Sequence, residues 1–385
     1  MAGLSGSVLP VHPQPKDDEI FSSWLCRISQ ANGLKLHTLE VQLWGREKQI
    51  WTRDIDRTID ADTLNRVASV CGTPLDRANE TTLRALEGKL FEKLLVGNSP
   101  WVIPAAIYHR TRRRPFMQFC SRCLATDKIP FYRRSWRLAL STFCDEHDVM
   151  LRDSCPECKA PIMFYRQEMG QRYVTSVESL SLCTSCGFDL RTAKCEEVNV
   201  VDAHALATLR LQIRSFALGW TYNDKYMFQY GQLYFDVLRN LMQKLMSPWT
   251  IQRLRHLVEE KFSLPPISRS RVREPFEYFG VNDRHQLLQV ATWLLMEWPT
   301  RFQSLFREKR CRYSELMREF DNAPYWFQHE AGKLEHLPLG ASPGEVDSMR
   351  KLLAATEDTK RRKQLQHIML IRLGRIPLDK FLHGL

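Results

Sequence analysis

Apolar residues in the first part of the chain recur at helical spacing. The first such face consists of Ile20, Phe21, Trp24, Leu25, Ile28 and Ala31. This pattern predicts a helix with Asp17 or Asp18 as its N-cap and with Asn32-Gly33 at its end. A second short helix is predicted over residues 36–44, where leucines share one face and a glycine follows.

Two further helices are predicted on either side of a tight turn. The first covers residues 61–71, and Thr73 is expected to cap the second, with Pro74 at its first helical position. Helices joined by so short a turn indicate a helix-turn-helix candidate, and a helical hairpin that only packs fits the pattern equally well. Only Arg77 and Arg84 stand out in the second helix as candidate base-reading residues.

The second half of the chain shows helical periodicity almost to its end. The predicted helices cover residues 203–220, 228–246, 250–262 and 282–298. Between them, residues 263–275 are predicted to form an exposed basic loop with Arg269, Arg271 and Arg273. A last basic helix is predicted around residues 349–373. No motif in this half identifies its role.

Cysteine and histidine residues occur in pairs, two residues apart, in the middle of the chain. One set is Cys120, Cys123, Cys144 and His147, and the other is Cys155, Cys158, Cys183 and Cys186. Two such pairs complete the tetrahedron that structural Zn²⁺ adopts, so the spacing predicts two structural zinc ions. Disulfides are disfavoured in a cytoplasmic protein, and His147 argues against an iron–sulfur cluster in the first site. Exchange of one pair between the two sites remains open.

These patterns together predict a mainly α fold in three domains. Residues 1–100 are predicted to form a helical, helix-turn-helix-like domain. A linker and two tandem zinc ribbons with short β-hairpins follow over residues 101–200, and an all-α domain covers residues 201–385. Of the cysteines outside the two sets, Cys26 and Cys71 lie at apolar helical positions and are predicted to be core thiols.

The charge of the chain favours a polyanionic partner. Its 385 residues include 55 Lys and Arg against 44 Asp and Glu, which gives a net charge of +11. The excess is concentrated over residues 109–147 and 349–375, each with a local charge of +6. Neutralising phosphates with such patches releases counterions, although a solvated basic face is an equally good explanation of either patch.

Six arginines are the candidate contacts with nucleic acid or a protein partner. They are Arg112, Arg113, Arg114, Arg133, Arg134 and Arg137. The last three alternate with aromatic residues in the segment 131–137, a composition that suits phosphate contact beside a stacking platform. We expect Tyr132 and Trp136 of this segment to fill the core instead. The chain has no apolar stretch long enough for a membrane span and no secretory signal, so a cytoplasmic protein is expected.

The motifs of the first half resemble those of the TniQ family. The N-terminal motif comprises Leu9, Pro10, Pro13, Pro15, Glu19, Ser23, Trp24, Leu25, Arg27, Asn32 and Gly33. The later motif comprises Phe119, Cys120, Cys123, Leu124, Tyr132, Arg133, Trp136, Arg137, Cys144, His147, Leu151, Cys155, Pro156 and Cys158. Two turn positions depart from the family pattern: Ser121 stands where proline is usual, and Lys159 stands where glycine is usual.

The resemblance implies a bacterial transposition protein that selects the target site. Such proteins link a recognition element to an ATPase regulator that recruits the transposase, and some form dimers. The recognition element is DNA in some transposons and an RNA-guided CRISPR surveillance complex in others. The residues alone also allow a sequence-specific DNA-binding regulator. An enzyme is not expected, because the chain has no His-Glu-x-x-His pair, no P-loop and no open metal coordination position.

Overall fold

The computed structural model of the protein is mainly helical, as the sequence predicts. It describes residues 8–373, except 96, 106, 109–110, 113, 167–179, 217, 224–226, 247–253, 255–258, 265–273, 310, 319, 321, 335–340 and 342. The basic loop with Arg269, Arg271 and Arg273 lies outside the described residues, and so does most of the helix predicted over 250–262.

The first two helices end where the sequence predicts. Helix α1 (Phe21–Ala31) ends at Asn32, and α2 (Leu36–Trp44) ends at Gly45, whose φ of 79° lies in the left-handed region that glycine adopts readily. The predicted N-cap of α1 is wrong, because Ile20 occupies that position, and the Asp56 carboxylate, from elsewhere in the chain, accepts the hydrogen bond of the Ser22 amide in the first turn. Asp18 instead accepts hydrogen bonds from Ser135, far along the chain.

The predicted helical pair is present, but its second helix is short. After α3 (Ile55–Thr58), helix α4 (Ala61–Val70) is capped by Asp60, which accepts a hydrogen bond from the Thr63 amide at 2.7 Å. Helix α5 (Leu75–Asn79) is only five residues long. The predicted cap is wrong, since Pro74 holds the N-cap position and the Thr73 hydroxyl donates to Gln14 at 2.8 Å.

Both candidate base-reading residues are engaged within the protein. The Arg77 guanidinium forms ion pairs with Asp17 and with Glu80. Arg84 donates a hydrogen bond to the carbonyl of Ile59 at 3.2 Å. The helical pair therefore resembles a packed hairpin more closely than a surface with free arginines for reading bases.

The middle of the chain consists of short elements around the cysteine pairs. Strands β1 (Ile107–Tyr108) and β2 (Thr111–Arg112) form one antiparallel hairpin, and β3 (Phe143–Cys144) and β4 (Val149–Met150) form another. Helix α6 (Ser121–Thr126) precedes the second hairpin. The predicted β-hairpins are therefore present, together with a helix that the sequence analysis did not predict.

The regular elements of the second half, in its described residues, are helices and one β-hairpin. Helices α7 (Ala203–Phe216) and α8 (Gly231–Met246) flank strands β5 (Trp220–Asn223) and β6 (Met227–Tyr230), which pair antiparallel. The predicted helices therefore extended too far, because Gly219 turns the chain with a φ of 76° and the Trp220 and Tyr230 rings stack across the strands.

Six more helices have described bounds in the second half. They are α9 (Val281–Leu295), α10 (Thr300–Glu308), α11 (Tyr313–Met317), α12 (Tyr325–Ala331), α13 (Pro343–Ala355) and α14 (Thr359–Arg372). Helix α9 is buried along most of its length and packs against both α7 and α8. It forms the centre of the second half.

A buried polar network connects α9 to the cysteine-rich segment. The His285 ring contacts the hydroxyl of Thr142 and the carbonyl of Asn199, each at 2.8 Å. Gln289 donates to the same Asn199 carbonyl at 2.8 Å. Burial lowers the pKa of His285 to about 4, so the ring is neutral at pH 7. The network therefore joins both halves through satisfied neutral groups.

Candidate metal centres

The first four-ligand cluster is built by α6 and the β3–β4 hairpin. Cys120 is the N-cap of α6, and its sulfur accepts a hydrogen bond from the Cys123 amide at 3.5 Å. Cys144 ends β3, and His147 lies in the turn before β4. Ser121 is the first helical residue, a position where proline is favoured because the amide there needs no helical partner. The departure at Ser121 therefore leaves the knuckle intact.

The second cluster uses the same turn twice. The Cys155 amide donates to Ala160 and the Cys183 amide donates to Phe188, at 2.9 and 2.8 Å. The fifth residue of each turn donates back to the first cysteine and has a left-handed backbone, with a φ of 59° at Lys159 and 77° at Gly187. This conformation explains why glycine is usual at the position that Lys159 occupies.

The distances between ligand atoms fit a tetrahedral metal ion. A metal 2.3 Å from each sulfur places neighbouring sulfurs about 3.8 Å apart, and a sulfur and a nitrogen about 3.6 Å apart. The sulfurs of Cys123 and Cys144 are 3.5 Å apart, and that of Cys144 is 3.6 Å from His147 Nδ1. In the second cluster, Cys155 and Cys186 are 3.7 Å apart, with Cys158 and Cys183 at 3.6 Å. These separations are too long for disulfides.

Each cluster is assembled from consecutive ligand pairs. The ligand atoms of Cys120, Cys123, Cys144 and His147 all lie within 4.8 Å of one another, and those of Cys155, Cys158, Cys183 and Cys186 do so separately. Exchange of pairs between the sites is therefore absent. Each group could hold one metal ion with four ligands, which leaves no position open for water or substrate.

The neighbouring thiols of the first cluster have pKa values shifted in opposite directions. Hydrogen bonds with Cys120 and Cys144, together with burial, raise the pKa of Cys123 well above its usual value. Hydrogen bonds from Cys120 and Cys123 hold the pKa of Cys144 far below its usual value. Three sulfurs this close cannot all ionise without a cation among them, so the donor set suits a divalent metal.

The two clusters differ in their exposure to solvent. In the first cluster all three cysteines are buried and His147 is half-buried, whereas Cys158 and Cys186 of the second are exposed. Burial still raises the pKa of Cys183 to about 12. The second site is therefore the more accessible of the two.

Helix α7 is held against the first cluster by ion pairs. Arg210 pairs with Asp148, and Arg214 pairs with Asp145 at 2.6 Å, so both acids flank His147. The Arg210 guanidinium also lies 4.7 Å from the centre of the Phe143 ring. These contacts were not foreseen from the sequence, because the arginines lie more than sixty residues from the acids.

The structure places the arginines of segment 131–137 inside the protein or in local contacts. Arg137 is fully buried and forms ion pairs with Asp54 and Asp56, so its expected role as a nucleic-acid contact is corrected: it has no exposed surface. Arg133 makes a two-point ion pair with Asp127 and lies over Phe131 and Trp136.

The other residues of this segment also contact groups within the protein. Arg134 donates to the carbonyl of Glu80 and lies 3.5 Å from Asp18. Tyr132 is buried and stacks on Phe164, with ring centres 4.0 Å apart, and Trp136 is buried beside it. The prediction that these two aromatic residues fill the core is therefore confirmed.

Of the three arginines before the first cluster, Arg114 is the one whose side chain the structure describes. Arg112 belongs to β2, and Arg113 lies outside the described residues. Arg114 is exposed, pairs with Glu274 at 3.0 Å and lies 4.7 Å from the Tyr278 ring centre. It lines a cavity of about 380 Å³ to which the buried Arg284 also contributes. Of the six arginines, Arg114 is the one that the structure describes on the surface with its guanidinium near solvent.

The fold and the two clusters define a mainly helical protein with two four-ligand groups that could each bind a metal ion. Residues 10–151 match the family model TniQ, so this part of the chain carries a TniQ domain, a type of domain associated with target selection in transposition. The match includes the whole first cluster and ends before Cys155. No curated protein matches the chain. None of the helices in the described part combines the length and apolar composition that a membrane span requires.

Proposed function

We propose that the chain is a non-catalytic adaptor that selects the target site in bacterial DNA transposition. The TniQ match over residues 10–151 carries this proposal. In this role the protein links a target-recognition element, either DNA or an RNA-guided CRISPR surveillance complex, to the transposition ATPase regulator and the transposase. A homodimer is compatible with this role. The non-catalytic character is supported by two clusters with filled coordination shells.

Two Zn²⁺ ions are the metals that suit these clusters best. Cys120, Cys123, Cys144 and His147 would hold one ion, and Cys155, Cys158, Cys183 and Cys186 would hold the other. Thiolate and imidazole donors at tetrahedral separations are typical of structural zinc. Metal binding would contribute on the order of 10 kcal/mol of folding free energy per site. The metals would thereby fix the β3–β4 hairpin and the acids that hold α7.

The proposed division of labour follows three regions. Residues 1–100 and the metal-binding module over 101–200 would form the family-specific body, and residues 201–385 would adapt it to its particular target. Arg112, Arg113 and Arg114 are the proposed contacts with nucleic acid or an acidic partner. Arg133 pairs with Asp127, and Arg134 contacts Asp18 and the Glu80 carbonyl, so both would contribute less.

Recovery of partners from cells that carry the whole transposon tests the adaptor role. A tagged chain should co-purify with the ATPase regulator and the transposase, and CRISPR subunits should appear if the target is RNA-guided. Cys123→Ser should lose these partners, whereas Cys195→Ser, a cysteine outside both clusters, should retain them. Failure to recover either transposition protein with the wild-type chain would contradict the adaptor role.

Two further outcomes would replace the proposal with another function. A footprint by the pure protein on one defined sequence, without recovery of transposition proteins, would indicate a sequence-specific DNA-binding regulator. Strand cleavage by the pure protein with Mg²⁺ would indicate a nuclease. A mock preparation must show no cleavage, and the control variant Cys195→Ser should cleave as the wild type does.

A further inference from the structure

The C-terminal helical pair is far more exposed than the helices before it. Helices α13 and α14 pack against each other, and among their described residues Ile371 alone is buried. Most of the surface of α14 is therefore available to a partner. The pair belongs to the half of the chain for which no motif or comparison indicates a role.

Four consecutive cations occupy the beginning of α14. Lys360, Arg361, Arg362 and Lys363 are all exposed, and none forms an ion pair within the described part of the chain. Other charges of the same pair are matched: Lys351 pairs with Asp347 at 2.8 Å. We call these four residues the basic end of α14.

Folding gives no reason for cations at this position. The N-terminus of a helix carries a partial positive charge, which disfavours basic side chains in the first turn. Asp358 offsets part of this effect, because its carboxylate accepts hydrogen bonds from the amides of Lys360 and Arg361 at 2.8 and 3.0 Å. The uncompensated charge of the basic end is therefore better explained by binding than by stability.

The angular distribution of the four cations indicates the shape of the partner. Successive residues of an α-helix are about 100° apart, so four in a row point around the whole helix. A flat acidic surface can meet only the cations on one side. A duplex groove has phosphates along both walls, and the major groove, about 12 Å wide, admits an α-helix.

We propose that the basic end of α14 enters the major groove of duplex DNA and contacts phosphates on both sides of the groove. Contacts of this kind position a protein without reading sequence. The basic end of α14 would therefore hold DNA near the target site, whichever element selects that site. The inference goes beyond the adaptor role, because it assigns to α14 a contact with duplex DNA that is separate from target recognition and does not depend on sequence.

A salt titration of single substitutions tests the proposal. The full-length zinc-loaded chain is titrated with a labelled 30-base-pair duplex, and the binding constant is measured by fluorescence anisotropy from 50 to 200 mM salt. Lys360→Gln, Arg361→Gln, Arg362→Gln and Lys363→Gln should each lower the slope of log K against log salt by about 0.9. Lys351→Gln, which removes an exposed cation that is already paired, should leave the slope unchanged.

The fourfold variant gives the larger effect. Wild-type binding should weaken across this salt range by about 150-fold more than binding of the variant, the factor that four phosphate contacts contribute. All four side chains are exposed, so the variant should keep its helical circular dichroism and its metal content.

Three results would overturn the proposal. An unchanged slope in the fourfold variant would mean that the basic end does not touch DNA. A decrease confined to two positions would mean a one-sided surface contact. Equal binding of a single strand of the same length would exclude a groove. Normal recovery of the transposition ATPase and transposase in any of these cases would leave the adaptor role intact, so the two proposals fail separately.

Discussion

The guanidinium of Arg137 donates to both carboxylate oxygens of Asp54, at 3.0 and 2.6 Å, across 83 positions of the chain. Arg137 lies between the two ligand pairs of the first cluster, and Asp54 directly precedes α3. Asp56 accepts from the same guanidinium at 3.0 Å. A fully buried cation therefore joins the N-terminal helices to the metal-binding module.

Loss of this cation should be strongly destabilising. Arg137→Met should lower the free energy of unfolding by about 3–5 kcal/mol, because it leaves the buried carboxylates of Asp54 and Asp56 without the cation that compensates their charge. Arg137→Lys should also be less stable than the wild type, since one ammonium group cannot replace the planar, two-point contact of the guanidinium. Urea unfolding of the zinc-loaded protein measures the effect. Arg191→Met, which removes a partly exposed local pair with Asp189, should cost less than about 1 kcal/mol. Similar losses in the two variants would contradict a special role for Arg137.

The ion pairs of Arg137 with Asp54 and Asp56 should also make the stability of the protein depend on pH. Burial, together with the neighbouring Asp54, raises the pKa of Asp56 to about 6 against the opposing effect of Arg137. The folded state thus binds a proton more readily than the unfolded state, whose Asp pKa is about 3.9, and this contribution to stability is lost as the pH rises through 6. The free energy of unfolding of Asp56→Asn, relative to that of the wild type, should therefore rise by about 1 kcal/mol as the pH increases from 5 to 7.5.

Chemical denaturation at fixed free zinc measures this pH effect. Comparison of the two proteins at each pH removes contributions that they share, such as that of the buried His285. A difference that stays constant from pH 5 to 7.5 would show that Asp56 is ionised in the folded protein throughout this range.

The two metal sites should lose their ions at different rates. Exposed Cys158 and Cys186 give a chelator direct access to the second site, whereas the cysteines of the first are buried. Excess chelator with a zinc-sensitive dye should therefore show a fast and a slow phase of equal amplitude. Cys158→Ser should remove the fast phase and Cys123→Ser the slow one, and each should reduce the zinc content from two ions to one. A single phase, or unchanged zinc content, would contradict this assignment.

The arginines before the first cluster should contribute to polyanion binding. Replacing Arg112, Arg113 and Arg114 together with Ala should lower the slope of log K against log salt by about 2 to 3. Glu274→Gln should increase affinity at low salt, because Arg114 is then released from its 3.0 Å ion pair. Titration with a labelled duplex measures both effects. Unchanged binding in both variants would mean that these arginines form only a solvated face.

The sequence predicted those features that depend on residues close together along the chain, such as helix ends and the ligand pairs. The end of α2 at Gly45 was readable, because a residue with positive φ is needed there and glycine supplies it. The eight-ligand pattern was readable for a similar reason: a two-residue gap places both ligands of a turn on one side, and the structure groups them as the spacing indicated.

The environment of the arginines could not be read in this way. An alternation of arginine and aromatic residues fits a nucleic-acid platform and a buried ion-pair network equally well. The deciding partners of Arg137 are acids some eighty positions earlier, in a segment without a matching motif. The β5–β6 hairpin was missed because the apolar residues at its two ends were assigned to the flanking helices, predicted over 203–220 and 228–246, although Gly219 turns the chain before β5.

The contacts between the N-terminal helices and the segment 131–137 also determine where the polypeptide can be divided into fragments. The Tyr132 amide donates to the Ser23 hydroxyl and the Ile20 amide donates to the Tyr132 carbonyl, each at 2.9 Å, so both sides contribute donors and acceptors. Cutting the backbone near residue 100 would therefore yield two fragments with unmatched polar edges. Each fragment alone would tend to aggregate, and the two expressed together would re-associate as a split protein does.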